Sequence, residues 1–291
     1  MHIQNRIEYI LFISLVKFFN LLGLEQARKT ASFLASLFYY VFPIRKETVL
    51  GNLKIAFPEK ADAEIKRIGK NCYKSFITTI IEISCLPYLS RETVKSLVNI
   101  PDLDLVISKY NQKKGLVLLT AHFGNWELGA ISMAIQTGIP IYVVGKSQRN
   151  SYVNDWINMM REKFGNKVTQ LGVSIKNVYK ELKNKNIIGM VGDQRGPREG
   201  IRVNFFGRKT AMYPGTAQMA LKTNSPIAIS IVRRRPDFVY DVLIEIIETE
   251  SLTGTEEEKI LEINQRYMSM LESYVKQNPE QWFWMHKIWK Y

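Results

Sequence analysis

"GLVLLTAHFGNWELGAISMAIQTGIPIYVVG", residues 115–145, decides the fold. "GLVLLTA" is an unbroken apolar run of strand length and reads as a strand buried on both faces. "NWELGAISMAIQTG" then takes helical spacing. Asn125 is suited to the N-cap, Trp126 to the first helical position, and Gly138 to the left-handed residue that closes a helix. "IPIYVVG" is a second apolar strand. Strand, helix and strand in about thirty residues make a βαβ unit, and such units place their strands in a parallel sheet.

The alternation continues downstream. "NSYVNDWINMMREKFG" reads as a helix, "KVTQLG" as a short strand, "SIKNVYKELKNKN" as an amphipathic helix and "IIGMVGDQ" as a strand. "YPGTAQMALKTNSP" predicts another helix, with Pro214 near its start. "IAISIVRRR" and "FVYDVLIEII" read as strands paired across a Pro-Asp turn. Thr255 and Glu258 have capping-box spacing and open a last helix to about Gln277. Upstream, Ile65, Ile68, Cys72, Phe76, Ile80 and Ile83 predict a helix that reaches about Leu89, where Pro87 should stop it. The expected fold class is α/β, with a mostly parallel central sheet flanked by helices. Residues 46–291 are expected to form this domain, with residues 1–45 apart from it.

Residues 1–45 differ in kind. "YILFISLVKFFNLLGL" (Tyr9–Leu24) and "TASFLASLFYYVFPI" (Thr30–Ile44) are apolar on most sides. Each is shorter than the ~20 residues of an ordinary spanning helix. They predict membrane-associating helices: the first could cross a thinned bilayer, with Lys17 snorkelling, or both could lie in the interface; the alternative is two buried helices of a soluble domain. Glu8 and the lack of an A-x-A site argue against a cleaved signal peptide. The 291 residues carry 40 Lys and Arg against 27 Asp and Glu, a formal charge of +13. That excess favours anionic partners such as a phospholipid surface or an acidic protein. Cys72 and Cys85 suggest neither a disulfide framework nor a metal site, which fits a reducing compartment.

Several chemistries are excluded by missing motifs. "PIYVVGKS" (140–147) approaches a P-loop, but Pro140 stands at the first glycine position and has no N–H for a phosphate. Neither a G-x-S-x-G elbow nor a G-x-G-x-x-G turn occurs. The three histidines, His2, His122 and His286, are far apart and no H-E-x-x-H is present, so no metal or other cofactor is expected. No nucleic-acid module is recognisable either.

His122 and Glu127 remain. On one continuous helix, residues five apart point about 140° away from each other. If Gly124 makes a sharp turn and Asn125 starts the helix, Glu127 falls in the first helical turn and can reach back to the imidazole. Such a histidine has a fixed tautomer and can act as general base for a hydroxyl, with Asn125 and helix N–H groups near developing negative charge. The spacing is equally compatible with a capped strand–helix corner whose histidine is merely hydrogen-bonded.

H-x4-D/E before a helix resembles the lysophospholipid acyltransferase superfamily. "AHFGNWE" is similar to its lipid A biosynthesis branch, the lauroyl/myristoyl acyltransferases. "GDQRGPREGIRVNFFGRKTAMYPGTAQMALKTNSPI" (Gly192–Ile227) resembles that branch's D-Q segment, F-F-G turn and following helix. "NPEQWFWMHKIWK" (Asn278–Lys290) resembles its C-terminal P-E-Q-Y-x-W-x-H-R-R-F-K signature, from which Lys287, Ile288 and Trp289 depart. The likeness covers nearly the whole chain.

The resemblance implies a glycerolipid acyltransferase-like fold and an O-acyltransferase with His122, Glu127 and Asp193 as catalytic residues. His122 would deprotonate an acceptor hydroxyl, Glu127 would be its partner, and the hydroxyl oxygen would attack an acyl thioester directly. Gly124, Asn125, Arg195, Arg198, Arg202, Arg208 and Lys209 are the expected substrate-binding residues; the cations follow Asp193 within sixteen residues and suit headgroup phosphates. Phe205 and Phe206 are read as core rather than acyl-pocket wall, and His286 as structural. The implied donor is acyl carrier protein, with coenzyme A as the alternative. The implied acceptor is an anionic lipid A precursor, and the place of action is the cytoplasmic face of the inner membrane. Two rivals remain: acylation of another glycolipid, such as a phosphoinositol mannoside, or of a lysophospholipid; and non-catalytic binding to anionic membranes.

Overall fold

The computed structural model describes residues 2–170 and 175–290. Four helices lead: α1 (His2–Leu22), α2 (Leu24–Tyr40), α3 (Lys46–Ala56) and α4 (Asp62–Cys85). Short α5 (Arg91–Ser96), β1 (Val98–Asn99) and α6 (Leu103–Asn111) precede the alternating region. That region runs β2 (Leu116–Thr120), α7 (Trp126–Thr137), β3 (Ile141–Gly145), α8 (Ser151–Glu162), β4 (Lys167–Gln170), α9 (Ile175–Lys183) and β5 (Ile187–Val191). A hairpin follows, β6 (Ile201–Phe205) and β7 (Arg208–Met212). The chain closes with α10 (Gly215–Thr223), β8 (Ile227–Arg234), β9 (Tyr240–Ile247) and α11 (Glu256–Gln277). Of the expected β4 and α9 segments, Leu171, Gly172 and Ser174 lie outside the described residues.

Seven strands form one sheet in the order β1-β9-β8-β2-β5-β3-β4, parallel except where β9 returns antiparallel along β8. The α/β expectation therefore holds. β2 is central, and Leu116, Val117, Leu118 and Leu119 are all buried. Val117 and Leu119 join the core under α9, α10 and α11, whereas Leu116 and Leu118 join the core under α7 and α8. Burying those four side chains contributes roughly 6–12 kcal/mol of gross transfer free energy. Asn125 caps α7 by accepting from Leu128 N–H, and Gly138 ends it at φ 69°. The Thr255–Glu258 capping box forms, and α4 ends at Cys85 in a 3₁₀ turn containing Pro87.

The periodicity gave no sign of α5, α6, β1 or the β6–β7 hairpin. α5 and β1 are too short for a period to show, and α6 fully buries only Val106, so its core face is slight. The hairpin turns on Phe206 and Gly207, both at positive φ, and packs on α11 through a Gln265 side chain that both donates to and accepts from the Asn204 backbone.

α2 lies along α4 by a seam of Ala27, Ala31 and Ala35, small residues four apart that let the two helices approach closely. α1 turns Phe12 and Val16 inward, with Phe12 edge-on to Trp156 of α8. Its other side leaves Ile3, Ile7, Ile10, Leu11, Leu15, Phe18 and Leu21 exposed. At ~100° per residue these fall within an arc of about 140°. The apolar tip Val41–Ile44 beyond α2 is exposed as well. Among the described residues, no helix is long and apolar enough to cross a membrane.

Candidate active site

The site lies at the carboxyl ends of β2 and β5, where open α/β sheets gather ligands. The strands pair in parallel with Thr120 opposite Val191, so two further residues bring His122 opposite Asp193. His122 Nδ1 is 2.7 Å from Asp193 Oδ1. Asp193 Oδ2 accepts from the His122 backbone N–H at 2.9 Å and from the Trp282 indole N–H at 2.8 Å. The carboxylate is almost fully buried, while the imidazole keeps 21% exposure on a narrow cleft between α4 and Glu280–Phe283. Trp126 and Phe283 flank the ring.

Burial works against charge on both groups, and their pairing wins. The His122 pKa lies above its ordinary 6.5, because the charge and hydrogen bond of Asp193, helped by the charge of Glu127, outweigh desolvation. The Asp193 carboxyl lies below its ordinary 3.8, since His122, Trp282 and the His122 backbone N–H overcome its burial. With Nδ1–H donated to the carboxylate, Nε2 is the ring nitrogen left to accept a proton.

The turn was expected to set Glu127 against the imidazole; the partner is Asp193 instead. Glu127, mostly buried, meets the Arg161 guanidinium of α8 in a bidentate pair, at 3.0 Å from Nε and 2.5 Å from Nη2. Two charge-assisted hydrogen bonds outcompete the single one an imidazole offers. Gly124 and Asn125 build the turn, and Gly124 also lines the cleft beside His122. Gly124 has φ 58°, and a Cβ there would collide with the Val232 carbonyl oxygen. Asn125 is fully buried; its Oδ1 caps α7 and its Nδ2 donates to Glu82 Oε2 at 3.0 Å.

The five expected anion-binding cations do not form one cluster. Arg195 follows Asp193 closely; its backbone N–H donates to His286 Nε2 at 2.6 Å and its guanidinium to the Lys287 carbonyl. His286 is thus an acceptor, with its pKa held below 6.5 mainly by burial. Arg202 donates to the Arg198 carbonyl at 2.7 Å, close to the Asp193 loop. Arg208 and Lys209 are exposed at the far turn of the hairpin. Arg208 is three residues from Ala211, whose carbonyl accepts from Gly196, which places it roughly 10 Å further out at 3.3 Å per residue. Phe205 is core, stacked among Trp282, Phe206 and Trp289.

The C-terminal segment supplies parts that spacing could not reveal. Phe283 N–H donates to the His122 carbonyl and Gly124 N–H to that of Gln281, both at 3.0 Å, while Phe123 bridges to Trp282. The quoted "PEQWFWMH" therefore clamps the turn that bears His122. Arg161 and Glu82 carried no signal in the sequence beyond their helices. Among the described residues, no group of His, Cys, Asp and Glu could hold a metal ion.

Residues 2–291 match the family model for bacterial lipid A biosynthesis acyltransferases. The chain belongs to this family. Its relatives include the lipid A biosynthesis lauroyltransferase of Escherichia coli K12, 23% identical over 84% of this chain and 79% of that protein. The E. coli lipid A biosynthesis palmitoleoyltransferase is 20% identical over 84% and 79% of the respective chains. A phosphatidylinositol mannoside acyltransferase of Mycolicibacterium smegmatis is 23% identical over 49% of this chain and 48% of its own. This member is an acyltransferase of lipid A synthesis, in agreement with the resemblance read from its motifs.

Proposed function

We propose that this acyltransferase moves a fatty acyl chain from a thioester to a hydroxyl of a lipid A precursor, with His122 as general base. The 2.7 Å contact between His122 Nδ1 and Asp193 carries the reading. Nε2 takes the proton as the acceptor oxygen attacks the thioester carbonyl carbon. The tetrahedral intermediate collapses, the C–S bond breaks, and the imidazolium returns the proton to the departing thiolate. Asp193 holds the tautomer and stabilises the imidazolium. Direct attack by the acceptor requires no enzyme nucleophile, which suits a chain without a serine elbow.

Glu127 acts at this site through Arg161, as the mutual bidentate pairing supports. Arg195, Arg198 and Arg202 bind phosphate on the acceptor headgroup, and Arg208 and Lys209 meet more distant anionic groups. The +13 charge supports an anionic donor, which acyl carrier protein, an acidic protein, and coenzyme A, a polyphosphate, both supply; acyl carrier protein is the donor the family resemblance implies. Residues 1–45 attach the protein to the cytoplasmic face of the inner membrane, supported by the exposed apolar arc of α1 and the tip Val41–Ile44. The partial likeness to a phosphatidylinositol mannoside acyltransferase favours a second reading, a different glycolipid acceptor.

The test incubates the purified protein with acyl carrier protein or coenzyme A thioesters and either a deacylated lipid A precursor or a phosphatidylinositol mannoside. Mass spectrometry then looks for an added acyl chain. Transfer to the lipid A precursor that His122→Ala abolishes is the expected result. No transfer from either donor, or transfer undiminished in His122→Ala, refutes the reading; transfer to the mannoside alone moves it to the second acceptor.

A further inference from the structure

Behind the turn that bears His122 lies a ring of buried polar side chains with no contact to the imidazole itself. Its centre is Glu82 of α4, which is 1% exposed. Three donors converge on its two carboxylate oxygens. Arg28 Nε, on the N-terminal helix α2, reaches Oε1 at 2.8 Å; Asn125 Nδ2 reaches Oε2 at 3.0 Å, and the Tyr240 hydroxyl donates to the same oxygen. Tyr240 in turn accepts from Arg234 Nε at 2.6 Å, and Arg234 Nη2 donates to Thr79 Oγ1 at 2.7 Å. Thr79 closes the ring by donating to the Gly124 carbonyl at 2.7 Å. The ring thus begins and ends on adjacent residues of the catalytic turn, Gly124 and Asn125.

The chemistry of the Asn125 amide makes the ring directional. Its oxygen must face Leu128 N–H to cap α7, so its NH₂ must face an acceptor. Glu82 is that acceptor, and Arg28 fixes the other end of the same carboxylate. A buried amide left without its acceptor costs about 1–3 kcal/mol, enough to favour another rotamer and a displaced turn. Asn125 is three residues from His122, and the His122–Asp193 contact depends on where that turn sits.

We infer that Glu82 and Arg28 are positioning residues for His122: Arg28 sets the Glu82 carboxylate, Glu82 sets Asn125, and Asn125 sets the turn. Helix α2 is then part of the catalytic scaffold as well as of the membrane-facing segment. The inference rests on His122 being the general base.

The test compares Arg28→Met, Arg28→Lys, Glu82→Gln and Glu82→Met with the wild-type full chain, in detergent micelles and in vesicles containing anionic phospholipid. Micelles remove the need for bilayer attachment. Three quantities are read: kcat and donor KM for acyl transfer, and the downfield NMR resonance of the His122 Nδ1 proton. Arg28→Met should lower kcat about ten-fold in micelles and vesicles alike, leave donor KM within about two-fold, and shift or broaden the resonance. Arg28→Lys should recover at least about half of the lost rate. Glu82→Gln, which keeps one oxygen for Asn125, should cost less rate than Glu82→Met, which keeps none; thermal melts of the same variants identify any part of that loss due to stability. If Glu82→Met does not fold, the two Arg28 variants and Glu82→Gln still decide the matter. An Arg28→Met defect confined to vesicles, with the resonance unmoved, overturns the inference and leaves Arg28 a membrane-attachment residue. A wild-type protein that transfers no acyl group refutes His122 as the base, while the resonance series still reports whether the ring positions the turn.

Discussion

Replacing Asp193 by asparagine should convert His122 to the wrong tautomer while leaving the fold in place. In the wild type, Oδ2 receives two N–H groups, from the His122 backbone at 2.9 Å and the Trp282 indole at 2.8 Å, and Oδ1 faces Nδ1 at 2.7 Å. An asparagine has one oxygen, and the two converging donors require it at the Oδ2 position. Turning the NH₂ there would strand both, at about 1–3 kcal/mol each. The NH₂ must therefore point at Nδ1, which can only accept from it when its own proton has moved to Nε2. A protonated Nε2 cannot take a proton from the acceptor hydroxyl. The comparable loss in a histidine–aspartate pair is on the order of 10³- to 10⁴-fold in kcat, about 4–5.5 kcal/mol of barrier. Single-turnover acyl transfer followed by mass spectrometry measures it, with circular dichroism melting as the control for folding. A folded Asp193→Asn protein within about ten-fold of the wild-type rate would refute the assigned roles of Oδ1 and Nδ1.

Five further outcomes are expected. Because the His122 pKa is raised and the base must be neutral, kcat/KM should rise with pH through a midpoint above 6.5; a midpoint at or below 6.5 contradicts the balance between Asp193 and burial. By linkage, the stability this pair contributes through His122 is fully present below pH 6.5 and is lost as pH rises through the raised pKa, whereas the part contributed through Asp193 is present above pH 3.8 and is lost as pH falls through its lowered pKa. Gly124→Ala forces a side chain into the Val232 carbonyl at φ 58° and should cost about 2 kcal/mol or more, lowering the melting temperature by roughly 5 °C; an unchanged melt rejects the steric argument. Glu127→Ala strands the mostly buried Arg161, so adding Arg161→Met should restore about 1–2 kcal/mol of stability without restoring activity, and chemical denaturation that finds the two changes additive would count against the pairing. Placing glutamate at Leu11, Leu15 and Leu21 together should abolish flotation with anionic vesicles and leave the melt nearly unchanged, because those side chains are mostly exposed to solvent; undiminished flotation removes α1 from the proposed membrane face.

The β2–α7–β3 unit, the cap at Asn125, the αL residue at Gly138 and the capping box at Thr255 were legible because each depends on residues within a few positions of one another. The β6–β7 hairpin was not legible from periodicity, since its strands are brief; its F-F-G turn, with Phe206 at positive φ, came only from the family resemblance. The histidine could be singled out from its motif, and Asp193 from the D-Q segment, but their contact could not. Glu127 is near His122 in the chain, yet it faces Arg161, 34 residues onward, because a bidentate ion pair is the stronger partner for a buried carboxylate. Asp193, 71 residues away, reaches the imidazole because the β2–β5 register sets Thr120 opposite Val191. The sequence by itself determined the longer elements, the family and the histidine to examine. The tertiary structure alone decided what that histidine is paired with, because backbone periodicity and capping are short-range, whereas pairing follows from strand register and from competition among buried charges brought together from distant parts of the chain.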